Sequence, residues 1–157
     1  MIRKIELKDN PALSLLIRSV LGEFAAPAEG TALQDPSLDH MYETYDREKG
    51  VYFVVEADGR ICGGCGVLPL EGGPEDVCEL QKMYLLKDCR GQGYGKQLLE
   101  ACLSFAKENG FSACYLETLP GMDTARIMYD KAGFRQVNKR MGDTGHFSCD
   151  IWLLKEL

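Results

Sequence analysis

The chain alternates between stretches in which every second residue is hydrophobic and stretches in which hydrophobic residues recur every three or four positions. The first pattern is typical of half-buried strands, and the second is typical of helices with one buried face. The predicted elements follow in this order: a strand at 2–8, a helix at 10–24, a helix at 37–49, strands at 51–57, 60–70 and 78–86, a helix ending at 109–110, a strand at 113–118, a helix at 122–132, and strands near 134–138 and 147–154.

Short polar and glycine-containing segments mark the ends of these elements. Asn10 before Pro11 is typical of a helix start, and Ser37 is suited to cap the second helix. Asp58-Gly59 between two strands predicts a type I′ hairpin. Residues 78–118 have the order strand, loop, helix, strand, which predicts a right-handed crossover with parallel strands. We therefore predict an α/β (α+β) fold with a mixed, mostly antiparallel central sheet flanked by helices.

Length and composition are those of a single domain spanning residues 1–157, with 45% hydrophobic residues. No apolar run approaches the roughly 18 residues of a membrane span, and the first ten residues do not resemble a signal peptide. The seven cysteines lie mostly in apolar segments, which predicts free thiols and a cytoplasmic protein without membrane association. Cys62 and Cys65 have an odd spacing that predicts thiols on opposite faces of a strand, and no second pair matches, so no metal is expected.

Charge is distributed unevenly along the chain. The formal net charge of −6 argues against nucleic-acid binding, which depends on a cationic surface. Residues 90–140 contain eight basic and five acidic residues, whereas residues 23–48 contain seven carboxylates and one arginine. The acidic segment is either a solvated surface or one wall of a site for a cationic ligand.

The loop at 90–96, Arg-Gly-Gln-Gly-Tyr-Gly-Lys, carries three alternating glycines between two cations and precedes a helix. It fails as a Walker A loop because Gln97 stands where serine or threonine is required, and it fails the Rossmann pattern because position 96 is lysine. The physical features that those loops share are present. Glycines let backbone N–H groups approach an anion, and the helix N-terminus favours a phosphate there.

The same loop resembles the pyrophosphate loop Gln/Arg-x-x-Gly-x-Gly/Ala of the GNAT superfamily of N-acetyltransferases. A second segment, 125–134, resembles the superfamily pattern Ala-x-x-x-Tyr-x-x-x-Gly-Phe, and the order of elements agrees throughout. The resemblance implies a GNAT-like acyl-CoA N-acyltransferase fold that binds acetyl-CoA (coenzyme A) as cosubstrate, with no metal. Met122 departs from the pattern, because many members have asparagine there.

The resemblance also implies a V-shaped gap opened by a strand bulge, in which the pantetheine arm bonds to exposed strand backbone. The implied cofactor-binding residues are Met83, Tyr84, Leu85, Arg90, Gly91, Gln92, Gly93, Tyr94, Gly95 and Lys96.

Two residues are implied as catalytic. An amine with a pKa near 10.4 is mostly protonated at pH 7, so a base must remove its proton. Glu79 lies eleven residues before Arg90, the spacing at which several histone-type members carry a glutamate base; the alternative is a strand-edge carboxylate paired with Lys82 or with solvent. Tyr129 matches the tyrosine that protonates the leaving thiolate, and the alternative is an aromatic core contact. His146 is a second candidate base or a recognition residue, with a plain loop histidine as the alternative.

We therefore expect an N-acetyltransferase that transfers an acetyl group to a primary amine by direct attack in a ternary complex. A noncatalytic acyl-CoA sensor and a nucleotide-binding module are the alternatives. The acceptor is a small-molecule or peptide amine, with a protein amine also open, and the acidic segment favours a cationic acceptor. Homodimer formation stays open.

Overall fold

The structure is a computed structural model that describes residues 1–24, 26–27 and 29–157. The strands are β1 (Ile2–Lys4), β2 (Val51–Ala57), β3 (Arg60–Pro69), β4 (Val77–Leu85), β5 (Ala113–Thr118), β6 (Arg135–Gln136) and β7 (Ile151–Glu156). The helices are α1 (Asn10–Glu23), α2 (Met41–Tyr45), α3 (Tyr94–Glu108) and α4 (Asp123–Lys131), and short 3-10 turns precede α1 and α2.

The seven strands form one sheet in the order β1-β2-β3-β4-β5-β7-β6. Every neighbouring pair is antiparallel except β4 and β5, which are parallel and joined through α3. This arrangement confirms the predicted mixed, mostly antiparallel sheet with one crossover. Asp58 and Gly59 both have positive φ, as a type I′ turn requires.

Helices cover both faces of the sheet. Leu98, Leu99 and Cys102 of α3 are buried in one core cluster with Val55 of β2, whereas Leu13 of α1 belongs to the cluster on the opposite face. Because successive strand residues point to opposite faces, β2 feeds both clusters. α3 ends as predicted, with Asn109 as C-cap and Gly110 at φ +83°.

Three predicted elements are shorter than the pattern suggested. The first strand stops at Lys4 because a 3-10 turn begins at Leu7, which is exposed. The last strand begins only at Ile151, because Arg140 binds carbonyl oxygens in the preceding segment and holds it as a loop. The strand predicted near 134–138 is reduced to β6.

Two further predictions were wrong in detail. Ser37 caps no long helix: residues 36–39 form a 3-10 turn, and α2 is a separate short helix because His40 leaves the helical backbone conformation. Cys62 and Cys65 do not lie on opposite faces, since both are buried in the same core cluster. The register between β2 and β3 shifts beside Cys62. This irregularity reverses the alternation of side chains between the two faces of β3, so both thiols point to the same face.

A bulge interrupts β4 at the centre of the sheet. Gly64 pairs with Tyr84 and Gly66 pairs with Gln81, so that Lys82 and Met83 together oppose one residue of β3. Lys82 adopts φ +50°, a conformation that a non-glycine residue rarely holds without support.

Two buried tyrosines supply that support from one face of the sheet. The Tyr52 hydroxyl donates to the Lys82 carbonyl oxygen at 2.7 Å, and the Tyr45 hydroxyl donates to Gln81 Oε1 at 2.7 Å. Both rings lie against β3, where a Cβ on Gly66 would come within 2.6 Å of each ring. The glycines of β3 are therefore required for the tyrosines to reach the bulge.

Candidate active site

The glycine loop forms one wall of a cavity of about 570 Å³, within the usual range for a ligand pocket. The other walls are the end of β4, the start of α4 and two side chains of α1, Val20 and Phe24. The cavity is mainly apolar in its lining, with the backbone of the loop at one end.

The backbone of the loop is suited to an anion. Gly91 and Gly93 have φ of +75° and +84°, and Gly93 is the N-cap of α3. A residue with a side chain would be strained in that backbone conformation. The first backbone N–H groups of α3 have no hydrogen-bond partner within the helix. The N-terminus of α3 therefore offers the cavity a positive dipole end and free backbone donors.

Most of the predicted cofactor residues line this cavity. They are Met83, Tyr84, Leu85, Arg90, Gly91, Gly93, Gly95 and Lys96. Gln92 instead bonds to the Asp88 carbonyl oxygen, and Tyr94 packs against the core beneath α3.

Arg90 lines the cavity, but its guanidinium is already engaged. It forms two hydrogen bonds to the Glu23 carboxylate, at 2.7 and 2.8 Å, and its Nε donates to the Leu85 carbonyl oxygen. The ring of Phe24 lies 5.4 Å from the guanidinium carbon. Arg90 thus ties α1 to the loop, while Lys96 presents an exposed charge at the helix start.

β4 and β5 stop pairing after Glu79, just before the bulge. Their parallel register covers Val77–Glu79 opposite Ala113–Tyr115, and a second cavity of about 60 Å³ opens between the later residues of both strands. Met83, Tyr84, Met122 and Ala125 line both cavities. The two cavities therefore adjoin each other at these four residues, and we refer to the pair of cavities as the channel.

Glu79 lies at the point where the strands separate, and its side chain lines the smaller cavity. It is 3% exposed, and burial raises its pKa to about 7, against a smaller lowering by a hydrogen bond from Gln81. The alternative of a strand-edge pair with Lys82 is wrong, because the Lys82 ammonium lies 2.8 Å from Asp35 Oδ2. A carboxyl with this pKa takes up and releases a proton near neutral pH.

Tyr129 of α4 lines the same cavity. Its hydroxyl donates to Met83 Sδ at 3.3 Å, and its ring packs edge-on against Phe134. Burial raises the pKa of Tyr129 well above its ordinary value, so the hydroxyl keeps its proton. Thioether sulfur is a weak acceptor, which leaves this donor free to bond to a better partner.

The structure adds charged residues to the site that sequence analysis did not assign to it. Asp35 binds both Lys82 and His146, and Glu117 forms an ion pair with Arg140 at 2.9 Å. Asp35 is separated from His146 by 111 positions, so no local pattern connects them. The only signals of these contacts in the sequence were two charged residues, Lys82 and Glu117, in strand segments rich in hydrophobic residues.

Side-chain groups of Glu79, Glu117 and His146 lie within 4.8 Å of one another. Glu117 already accepts hydrogen bonds from the hydroxyls of Tyr115 and Thr144 in addition to its ion pair with Arg140. Because its oxygens are engaged by donors, we interpret the cluster as a proton-handling group. The expectation of no metal stays a prediction.

The carboxylates of the acidic segment do not gather at one cleft. Glu23 binds Arg90, Asp39 binds Ser14 and Arg18, and Glu43 accepts from Asn10. Of these partnered carboxylates, Asp35 is the one that reaches residues of the smaller cavity, where Lys82 balances its charge.

The sheet is thus splayed beside a glycine loop at a helix N-terminus, and a buried carboxyl and a buried phenol line the smaller cavity. A sequence model described as the acetyltransferase (GNAT) family matches residues 18–134. The chain belongs to the GNAT family of acetyltransferases and is an enzyme of that class. The family generally uses acetyl-CoA as cosubstrate.

Known proteins agree with this assignment. The chain is 41% identical to an uncharacterized N-acetyltransferase, YjgM, of Escherichia coli, over 99% of this chain and 94% of that protein. It is 30% identical to the probable N-acetyltransferase family 8 member 5 of the mouse, over 90% of this chain and 61% of that protein.

Solved structures share the fold. A GNAT-family acetyltransferase from Staphylococcus aureus superposes with a TM-score of 0.85 at 21% identity, covering 99% of this chain and 98% of that one. A ribosomal-protein-alanine N-acetyltransferase from Brucella melitensis gives a TM-score of 0.80 at 21% identity, covering 100% and 99%. Among the described residues, none of the helices has the length and apolar character required to cross a membrane.

Proposed function

We propose that the protein transfers an acetyl group from acetyl-CoA to a primary amine by direct attack within a ternary complex. One observation carries the proposal: Glu79 and Tyr129 line the same small cavity, and four residues line both that cavity and the cavity of the glycine loop. A base and an acid are thus available where an amine and a thioester would meet.

The loop is proposed to hold the pyrophosphate on the N–H groups of residues 91–96. The backbone of Met83, Tyr84 and Leu85 is proposed to bond to the pantetheine arm, in the manner of an added strand. Acetyl-CoA supplies the thioester, and its carbonyl group is polarised by β4 backbone donors beside the bulge. Met122, at the family's usual asparagine position, gives this channel a thioether side chain that lines both cavities.

Glu79 is proposed to remove the proton of the bound ammonium group. A carboxylate of ordinary pKa is too weak a base for this step, whereas burial raises the pKa of Glu79 from 4.5 to about 7, closer to that of the amine. Tyr129 is proposed to protonate the departing thiolate. Its hydroxyl already points to a sulfur atom, Met83 Sδ, which lies in the channel.

The charge of the acceptor, its size and the cellular location are also part of this proposal. A cationic acceptor stays a prediction that rests on the seven carboxylates of residues 23–48, since Asp35, like Glu23, Asp39 and Glu43, already has a partner within the chain. The small cavity favours an acceptor whose amine sits on a narrow chain, in a small molecule or a peptide. Buried, unpaired cysteines support a reducing compartment, so a cytoplasmic location is proposed, and homodimer formation is left open.

A panel of cationic, neutral and anionic primary amines, incubated with acetyl-CoA and read by mass spectrometry, tests the reaction. We expect a mass increase of one acetyl group on an amine nitrogen and loss of the product with the Glu79→Gln variant. The matched control is Glu75→Gln, since Glu75 is exposed near the start of the same strand. Thermal shifts with coenzyme A, ATP and NAD complete the test; stabilisation by ATP or NAD alone would overturn the proposal.

A further inference from the structure

Asp35 joins three separate segments of the chain at the acceptor end of the channel. Its carboxylate lies 2.8 Å from the Lys82 ammonium of the β4 bulge and 2.9 Å from Nε2 of His146 in the β6–β7 loop. Burial tends to raise the pKa of Asp35, but the hydrogen bond from His146 and the charge of Lys82 outweigh it, so the pKa is lowered. Asp35 is therefore a carboxylate at neutral pH.

A carboxylate only accepts hydrogen bonds, so His146 Nε2 must carry a hydrogen. In the neutral ring Nδ1 is then the unprotonated nitrogen and is able to accept a proton. The backbone around the ring is also fixed. The Arg140 guanidinium donates to the His146 carbonyl oxygen at 3.0 Å, and the Ser148 N–H donates to the Gly30 carbonyl oxygen at 2.9 Å.

Glu79 needs a route by which its proton leaves between turnovers. Its own side chain is closed from solvent, and so is that of Glu117, which is 1% exposed. His146 is the third member of the same 4.8 Å cluster and its side chain is 14% exposed. Within this cluster, the imidazole is thus the group with the most contact with water.

We propose that Asp35 is a positioning residue that holds the His146 ring so that the ring takes the proton from Glu79 and passes it to solvent. The inference rests on the proposed function, because it assumes that Glu79 is the base. The acceptor ammonium gives one proton to Glu79, the protonated Glu79 gives it to the imidazole through one bridging water molecule, and the imidazolium gives it to bulk water. Asp35 stabilises the imidazolium in the middle step without taking the proton.

Charged and titratable groups reach His146 from every segment packed around it. They are Asp35 before α2, Glu79 and Lys82 on β4, Glu117 on β5, and Arg140 and Cys149 in the β6–β7 loop. Lys82 and His146 are both bound to Asp35, and Arg140 is bound to Glu117, which leaves Glu79 as the member of the cluster without an ion pair among the described residues.

Chemical rescue tests the relay. We expect His146→Ala to lower kcat about 10- to 100-fold, in the range of a lost acid–base group, and added imidazole to restore kcat in proportion to its concentration. Imidazole should not restore Glu79→Gln. A His146→Ala enzyme with the kcat of the parent protein, or one that imidazole leaves unchanged, would overturn the relay.

The role of Asp35 is tested with a matched pair of variants. Asp35→Asn should lower kcat about tenfold and leave the coenzyme A affinity within twofold, whereas Asp39→Asn, an exposed carboxylate of the same segment, should leave both unchanged. Because Asp35→Asn leaves the Lys82 ammonium buried without a partner, Asp35→Asn/Lys82→Met serves as the second variant. Full kcat in that double variant would show that His146 needs no positioning by Asp35.

A nuclear magnetic resonance measurement separates this inference from the proposed function, since it needs no acceptor. The chain has two histidines, and His40 is exposed. In 15N-labelled protein we expect a single Nε2–H tautomer for neutral His146, an averaged signal for His40, and loss of the single tautomer in the Asp35→Asn/Lys82→Met variant. An averaged or Nδ1–H signal for His146 would refute the positioning role. A fixed tautomer in a protein that acetylates no amine would refute the proposed function instead.

Discussion

The burial of Glu79 leads to a prediction that joins stability to activity. Raising a carboxyl pKa from 4.5 to about 7 corresponds to about 3 kcal/mol of free energy disfavouring the charged form in the folded protein. The folded state then holds a proton that the unfolded state releases from about pH 4.5 upward. Unfolding free energy therefore falls as the pH rises from 4.5 through about 7, and levels off above it.

Glu79→Gln removes this titration. Any packing cost of the amide is independent of pH, so the test is how the difference between the two proteins changes with pH. Relative to the parent protein, the variant should gain about 2–3 kcal/mol of stability between pH 5 and pH 8. In the same variant kcat/KM should fall about 10²- to 10⁴-fold, as expected for loss of a general base.

The assay is urea unfolding of the parent, Glu79→Gln and Glu75→Gln proteins at pH 5, 6, 7 and 8, with acetyl transfer measured in parallel. Glu75→Gln should follow the parent protein at every pH. The acid limb of kcat/KM in the parent should have an apparent pKa near 7, the value to which burial raises Glu79. A stability difference that does not change with pH, or full turnover in Glu79→Gln, would refute the reasoning.

Three further predictions concern the cofactor, the acid and the acceptor. Gly93→Val should weaken coenzyme A binding at least tenfold by calorimetry, whereas Gly110→Val, with the same backbone strain at φ +83° but remote from the cavity, should retain affinity; equal affinity in both would reject the loop. Tyr129→Phe should lower kcat about 10- to 1000-fold with coenzyme A affinity within a few-fold, and full turnover would reduce Tyr129 to packing. If the acceptor is cationic, kcat/KM should fall as salt rises, mainly through KM, and an efficiency that ignores salt would contradict steering by the acidic segment.

Local patterns determined much of the fold and the backbone conformation of the glycine loop. Two elements formed where predicted: the strand at 113–118 and the helix whose buried face contains Leu98, Leu99 and Cys102. Both hydrophobic patterns depend only on neighbours along the chain. Glycine spacing in the loop also acts locally, because it fixes the backbone conformation at Gly91 and Gly93. The strand and helix ends were less predictable, since Leu7 and Phe147 continue the hydrophobic pattern while remaining exposed.

Only the tertiary structure decided the protonation of Glu79 and the ion-pair partners of the residues around the smaller cavity. The sequence placed Glu79 in a strand, but its burial, and with it a pKa of about 7, depends on α1, β5 and the β6–β7 loop closing around it. Asp35 was one of seven carboxylates in an acidic segment, and only the folded chain brings it to Lys82 and His146. Hydrogen bonds and desolvation act over a few ångströms in space, so residues 111 positions apart become partners only once the sheet and its loops have set their distance.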